Sequence, residues 1–454
     1  MNRIVSAFGG SGLMARVLRS ASWLMLSYGG SQALRLASNL ILTRILFPEA
    51  FGLMALVSLV TVGLAMFSDI GLGPAVTQNP RGDDPDFLDT AWTVQVIRGL
   101  CLWAATGALA WPVAAFYGEP RLALYLPIAG VALAVSGFNP MRIETAYRHL
   151  LLGRVTALEL LSQFIGIAGM VVLALLTRSV MALVAGAVLQ ALARLVLTHL
   201  FLPGRGNRFR WEAAAAHELV HFGKWIFFST AFWFVSSQGD RAILGKFLTL
   251  DALGLYNIGY FLASFPYLLG LAVNQRLMMP IYRDRPAGAS PENYRKQRLL
   301  RCALSGGIMG LLAVMALAGP ALIDLLYDAR YAASGAIVTL IACALTPSVI
   351  LMTYDQAPLA AGDSRGYFVY SAARALAQVA LILAGAIHFG LAGAIVAMGL
   401  SMIAAYPVLI WLSRRHRVWD GWHDLGFGLL AAALSLAAVW LHWDRIAMMV
   451  TATA

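Results

Sequence analysis

Charge is scarce in this chain. Only 12% of its 454 residues are Asp, Glu, Lys or Arg, while 60% are hydrophobic and the mean hydropathy is +0.74. A soluble protein must clothe its loops and outer faces in polar side chains, so this balance excludes one. Polar intervals long enough to fold as domains are also missing; the longest, near 204–217 and 282–301, are loops. The three cysteines, Cys101, Cys302 and Cys343, lie in or beside apolar runs without metal-ligand spacing and read as small buried hydrophobes. There is no G-x-x-x-x-G-K-[ST] phosphate loop, no H-E-x-x-H and no Ser/His/Asp set, which excludes ATP hydrolysis and leaves no recognisable catalytic site. All eight histidines fall in loops or toward the ends of apolar runs. The chain therefore reads as a non-enzyme with no cofactor and no metal. Met1–Ser20 carries Arg3, Arg16 and Arg19 and no continuous apolar core, so it reads as a short amphipathic helix on the cytoplasmic surface and not as a cleaved signal peptide.

What fills the chain instead is a succession of apolar runs of roughly 20 residues, each long enough to cross a bilayer of ~30 Å. Spans are expected near 20–42, 51–77, 90–113, 121–141, 155–177, 180–202, 219–243, 252–281, 302–323, 332–357, 366–387 and 390–412, with a shorter candidate at 425–441. The expected fold is all-α and polytopic, with about 12–13 transmembrane helices. The net charge of +11 is placed by topology. With the N-terminus inside, 21 of the 33 Lys and Arg fall on the cytoplasmic side. Seven fall outside (Arg44, Arg121, Arg178, Arg241, Lys246, Arg330, Arg445) and five within spans (Arg35, Arg98, Arg194, Arg276, Arg374). A threefold excess of inside over outside obeys the positive-inside rule and points to anionic lipid headgroups, not nucleic acid.

The chain also repeats itself. Ile41–Leu53, ILTRILFPEAFGL, returns 202 residues later as Ile243–Leu255, ILGKFLTLDALGL. The pairs Ile41/Ile243, Leu42/Leu244, Leu46/Leu248, Ala50/Ala252, Gly52/Gly254 and Leu53/Leu255 are identical, and Arg44/Lys246 and Glu49/Asp251 keep their charge. Six spans separate the copies, an even number, so both enter the membrane in the same direction. This arrangement predicts two parallel six-helix bundles with a central cavity. Their expected limits are 1–203 and 219–412, joined by a cytoplasmic linker at 204–218 and followed by a basic loop and one short extra helix at 413–454.

Two stretches carry a family resemblance. LTRILFPEAFGLMALVSLV with FSDIGLGPAVTQ (Phe67–Gln78), and GDRAILGKFLTLDALGLYNIGYFLASFP (Gly239–Pro266), resemble the two half-signatures of bacterial polysaccharide and oligosaccharide flippases. These Wzx-like transporters belong to the multidrug/oligosaccharidyl-lipid/polysaccharide exporter superfamily. The tail departs from their pattern, since members commonly have 12 or 14 spans. The resemblance implies a multi-pass protein of the bacterial cytoplasmic (inner) membrane. Its substrate would be a polyprenyl-pyrophosphate-linked oligosaccharide, carried outward for O-antigen, capsule or exopolysaccharide synthesis. Membrane lipids would surround it, and a polysaccharide polymerase and glycosyltransferases would be partners. Physics agrees: a glycan bearing a pyrophosphate cannot cross hydrocarbon unaided, because each desolvated polar group costs several kcal/mol. The energy source is external to the chain: an ion or proton gradient, the membrane potential, or removal of product.

A charge inside the hydrocarbon costs at least ~2.5 kcal/mol, so the few present face a cavity or a partner. Arg35, with Ser31 and Ser38 at helical spacing, and Asp69, beside Ser68, either neutralise each other or leave Arg35 to the substrate pyrophosphate. Arg98 lies two turns into the third span, three residues after Gln95. Arg374 lies two turns into the eleventh, where Ser371, Arg374 and Gln378 make one polar stripe. Arg194 and Arg276, nearer cytoplasmic ends, are placed to snorkel. The expected substrate-binding set is Arg35, Asp69, Arg98, Arg374 and Gln378. Trp92, Trp111, Trp211, Trp225, Trp411, Trp419, Trp422 and Trp440 read as interfacial belts. The rival readings are a membrane polysaccharide polymerase or ligase, which would need a large outer loop, and a drug/cation antiporter or peptidoglycan-precursor flippase. An antiporter would favour isolated intramembrane carboxylates, whereas Asp69 stands here among several arginines.

Overall fold

A computed structural model describes residues 13–69 and 71–453, with side chains described at 23, 26–69, 71–219 and 230–451. The described residues are almost wholly helical and include no strand. The helices are α1 (Leu13–Ile45), α2 (Pro48–Phe67), α3 (Leu72–Gln78), α4 (Pro85–Tyr117), α5 (Leu122–Gly137), α6 (Arg142–Arg148), α7 (Leu152–Thr177) and α8 (Met181–Phe201). There follow α9 (Ala213–Phe247), α10 (Leu250–Asp284), α11 (Pro291–Leu326), α12 (Ser334–Met352), α13 (Gln356–Ala360), α14 (Ser364–Arg415), α15 (Gly421–Leu441) and α16 (Trp443–Thr453). Most of Met1–Ser20, where a surface helix was expected, lies outside the described residues; α1 runs on from Leu13.

Among the described residues, nine helical stretches are long and apolar enough to cross a membrane. A tenth is added if α5 and α6, bent by 61°, count as one broken span. One of the nine, α14, is two helices: Gly390 has φ 59° and ψ −146° and breaks it where the sequence separates its eleventh and twelfth spans. The turn is tight, and a Cβ on Gly393 would meet the Gly385 carbonyl oxygen at 2.5 Å. Helices α1 and α9, of 33 and 35 residues, occupy the expected first and seventh spans. The chain is a multi-pass, all-α membrane protein. Local chemistry starts its helices. Asp84, Thr249, Ser290, Asp363 and Asp420 each accept from a backbone N–H two or three residues on, and Pro85 and Pro291 open α4 and α11.

The helices form two compact units, Met1–Leu46 with Leu56–Ala231, and Phe47–Ala55 with Phe232–Ala454. The start of α2 belongs to the second unit because the two repeat copies pack on each other there. A Cβ on Gly52 would meet the Leu250 carbonyl oxygen at 2.0 Å, and one on Gly254 would meet the Pro48 carbonyl oxygen at 1.9 Å. Pro48 and Leu250 are themselves 202 residues apart. The contact is therefore a local two-fold in which each copy presents its glycine to the other's first turn.

In the first unit, residues 203–212 form an extended strap along the beginning of α4. The backbone N–H groups of Arg208, Arg210 and Glu212 donate to Asp89 Oδ1, Thr93 Oγ1 and Thr90 Oγ1 at 3.1 Å each. Arg81 clasps the strap's end, bonding Asp84 and Glu212. These bonds hold the Asp84 and Glu212 carboxyls below their ordinary values, Arg81 being the main cause for both. A depressed folded pKa stabilises above the unfolded value, near 4, and is lost only as pH falls through the lower folded value. Limited proteolysis at the strap should therefore be no faster at pH 5 than at pH 7.

In the second unit, α15 is docked through one carboxylate. Asp424 accepts from Tyr354 Oη at 2.7 Å, Tyr406 Oη at 2.5 Å, Trp419 Nε1 at 3.1 Å and His423 Nδ1 at 2.8 Å. Such saturation makes Asp424 a tie between α15, the end of α12 and the second half of α14. Asp424→Asn trades acceptor positions for donors facing donors, and should cost roughly 2–3 kcal/mol, read as a lowered melting temperature in detergent. Helix α16, absent from the expected spans, buries Ile446 and Met449 and pairs Arg445 with Asp324 at 2.8 Å. Two sequence expectations fail on burial. Trp92 is buried between Phe138 and Phe209, not in a belt, whereas Trp111, Trp211, Trp411, Trp422 and Trp440 are exposed. The half-buried Trp419 donates to Asp424, and the side chain of Trp225 lies outside those described. Cys101 is exposed, because the outer face of a membrane helix meets lipid, not water.

Candidate functional site

In the first unit the expected second span is broken. Helix α2 ends at Phe67 and α3 begins at Leu72, with Gly71 at φ 64° and the Gly71 N–H donating to Asp69 Oδ1 at 2.9 Å. A helix end at this depth has carbonyls without partners, and irregular backbone survives there only where protein or a wet cavity receives it. Arg98 supplies the partner: Nη2 donates to the Ala65 carbonyl at 2.6 Å and Nε to Ser68 Oγ at 3.0 Å. One turn earlier on α4, Gln95 Nε2 donates to the carbonyls of Gly137 and Asn139, each at 3.0 Å, at the break between α5 and α6. One face of α4 thus caps two interrupted helices.

The neutralising Arg35–Asp69 pair does not form. Asp69 accepts from the Gly71 N–H and acts electrostatically on Arg98, and the Arg35 side chain is exposed without an ion pair among the described residues. Arg194 does not snorkel either; it reaches across from α8 to Glu159 on α7 at 2.8 Å, and Tyr147 lies against the same carboxylate. Glu144 stands nearby, its Oε2 2.9 Å from where a Cβ on Gly73 would sit. Glu144 and Glu159 are polar residues that the sequence reading missed. Glu159 was signalled only as a lone acid in an apolar run, and Glu144 was masked by the basic stretch around it, with Arg142, Arg148 and His149. Arg276 is exposed, in keeping with a snorkelling side chain.

In the second unit, Arg374 comes to 4.0 Å from Asp355, a carboxylate buried at the break between α12 and α13. Tyr267 and Tyr370 crowd the guanidinium. Tyr370 Oη lies against the Asp355 carboxylate, while Arg374 Nε is buried without a hydrogen-bond partner. The expected stripe divides: Gln378 is buried and donates to the Ser236 carbonyl on α9 at 3.2 Å, a bond between helices. Arg241 is held within the unit, with Nε on Asn257 at 2.9 Å, Nη1 on Gln238 at 2.9 Å and the guanidinium 4.9 Å from the Tyr260 ring. Beside it Tyr256 Oη donates to the buried Asp240. Around Tyr260 the interior of this unit therefore brings Arg241, Arg374 and Asp240 near one another, with Asp355 against Arg374 and Arg374 Nε left unmatched. Such a site can bind an oxygen-rich ligand by charge-assisted hydrogen bonds.

Comparison with known proteins agrees with this architecture. Residues 41–336 match the family of polysaccharide biosynthesis proteins. The chain belongs to that family. It is 24% identical over 390 residues to the "Succinoglycan biosynthesis transport protein ExoT" of Rhizobium meliloti (strain 1021), covering 84% of this chain and 76% of the relative. It is 20% identical over 223 residues to the "Teichuronic acid biosynthesis protein TuaB" of Bacillus subtilis (strain 168), covering 49% and 46%. Among solved structures, the fold matches the lipid II flippase MurJ in an inward closed conformation, with TM-score 0.68, 10% identity and coverage of 94% and 97%. It also matches an inward-facing multidrug resistance MATE family transporter of the MOP superfamily, with TM-score 0.65, 14% identity and coverage of 85% and 94%. The resemblance read from Leu42–Val60, Phe67–Gln78 and Gly239–Pro266 is thus borne out, and the fold is that of these transporters.

Proposed function

We propose that this protein flips a polyprenyl-pyrophosphate-linked oligosaccharide from the cytoplasmic to the outer leaflet of a bacterial inner membrane, by alternating access and without catalysing a reaction of its own. The observation that carries the reading is the likeness over most of the chain to a succinoglycan transport protein, within a polysaccharide biosynthesis family. The shared fold with a lipid II flippase supports it. Arg35, Arg98 and Arg374 supply positive potential to the diphosphate, with Asp69 and Gln378 completing the polar lining. Arginine suits this task because its fork binds phosphate oxygens bidentately and stays charged when partly desolvated. Surface polysaccharide, a polymerase and glycosyltransferases lie downstream and upstream of this step.

Deleting the gene should abolish surface polysaccharide and leave lipid-linked oligosaccharide on the inner leaflet. Complementation with Arg98→Ala should fail, and Arg98→Lys should rescue partly, since lysine restores charge but not the two-pronged bond. Full export by an Arg98→Ala protein made at normal levels would remove Arg98 from the binding set. A drug/cation antiporter is the second reading, favoured by the interior carboxylates Glu144, Glu159, Asp240 and Asp355. It predicts altered drug resistance with unchanged polysaccharide in the deletion strain.

A further inference from the structure

Beside the strap of the first unit lies an apolar groove of about 380 Å³, lined by Trp92, Phe138, Leu195, Val196, His199 and Leu200. Its floor is fixed. Trp92 is wedged between Phe138 and Phe209, with ring centroids 6.4 and 4.8 Å away, and its Nε1 donates to the Phe138 carbonyl at 3.4 Å. Its open wall is the outer side of the last two turns of α8, where Val196 and Leu200 are 51% and 70% exposed. The groove ends where the helix ends and the basic strap begins. It therefore sits where hydrocarbon gives way to headgroups, on the side of the basic loops.

The charges at that end do not cancel. Arg205 is balanced by Asp89 at 3.3 Å and Arg210 by Asp86 at 2.8 Å. Arg142 donates only to the backbone carbonyls of His199, Leu202 and Gly204. Arg208, next to Phe209, is exposed and has no carboxylate partner among the described residues. Arg142, held on the carbonyls at the end of α8, and Arg208, on the strap beside Phe209, are thus left without a carboxylate. Beside them stand the exposed rings of Phe209 and Trp211, side chains of the kind that settle at a membrane interface.

We propose that this groove holds one chain of an anionic phospholipid from the cytoplasmic leaflet, with its phosphate on Arg208. The apolar lining takes the acyl chain, and the uncompensated guanidinium selects an anionic over a zwitterionic headgroup. The strap, pinned to α4 through three backbone N–H groups, holds the charge in register with the groove. This is a lipid site on the outside of one unit, separate from the polar interiors assigned to the substrate.

Native mass spectrometry of the purified full-length chain tests it, with phosphatidylglycerol and phosphatidylcholine of identical acyl chains added at equal concentration. Phosphatidylglycerol should be retained at least tenfold better. Arg208→Gln and the groove-filling Val196→Trp should each bring it down to the phosphatidylcholine level, while Leu436→Trp, on the exposed face of α15, should not. Both altered side chains point outward, so the variants should keep the parent melting temperature; Leu200→Trp replaces Val196→Trp if that one does not. Equal retention of the two phospholipids, or a preference that survives both substitutions, overturns the proposal. Displacement of phosphatidylglycerol by an equal concentration of polyprenyl phosphate also overturns it, because the groove would then belong to the tail of the substrate.

Discussion

Valine in place of Gly52 or Gly254 should leave no folded, export-competent protein. A Cβ at either position would stand 2.0 or 1.9 Å from a carbonyl oxygen of the partner helix, and that oxygen belongs to backbone, not to a flexible side chain. Overpacking a core normally costs ~1–3 kcal/mol when side chains can shift. Here whole helices must separate, so the cost should reach or exceed the upper end, and alanine should fail as well, though less completely. The control is Gly310→Ala. Nothing lies within 4 Å of a Cβ there, and alanine in a helix interior is favoured over glycine by ~0.5–1 kcal/mol. Melting temperatures in detergent, with surface polysaccharide as the functional readout, should therefore move in opposite directions. If Gly52→Val melts with the parent, the close crossing of the two repeat copies is not what holds this end of the unit.

The repeated glycine was legible in the sequence as a mark of duplication, but not the crossing it permits, because which helices approach so closely depends on packing between copies 202 residues apart. The spans were legible for a simple reason: crossing hydrocarbon demands length and apolarity, and both can be read from the chain alone. The breaks were harder. Ser68–Gly71 carries its warning in Asp69, Gly71, Gly73 and Pro74, yet hydropathy runs on through it, so the second span read as continuous. Arg98 and Gln95 were visible as polar residues, but their use as caps for two broken helices depends on carbonyls about 30–45 residues away. The Glu159–Arg194 and Asp355–Arg374 partnerships were invisible for the same reason, since helix packing, not spacing along the chain, brings those charges together.

Arg374→Ala should both destabilise the protein and stop export, and a second substitution separates the two effects. Alone, it leaves the Asp355 carboxylate buried with no cation within reach, a change that costs ~3–5 kcal/mol for a buried pair. Asp355→Asn in the Arg374→Gln background replaces both charges with neutral groups of similar size, and such replacements are often near neutral for stability. The double variant should therefore recover most of the lost melting temperature. Export should not return with it, because Arg374 Nε is held without a partner, a cost that folding alone does not explain. That unmatched donor suits a phosphate oxygen, and glutamine cannot supply the positive charge. Accumulated lipid-linked oligosaccharide in the stable double variant would tie Arg374 to the substrate. Restored surface polysaccharide would reduce it to the counter-ion of Asp355 and leave the binding of the diphosphate to Arg35 and Arg98.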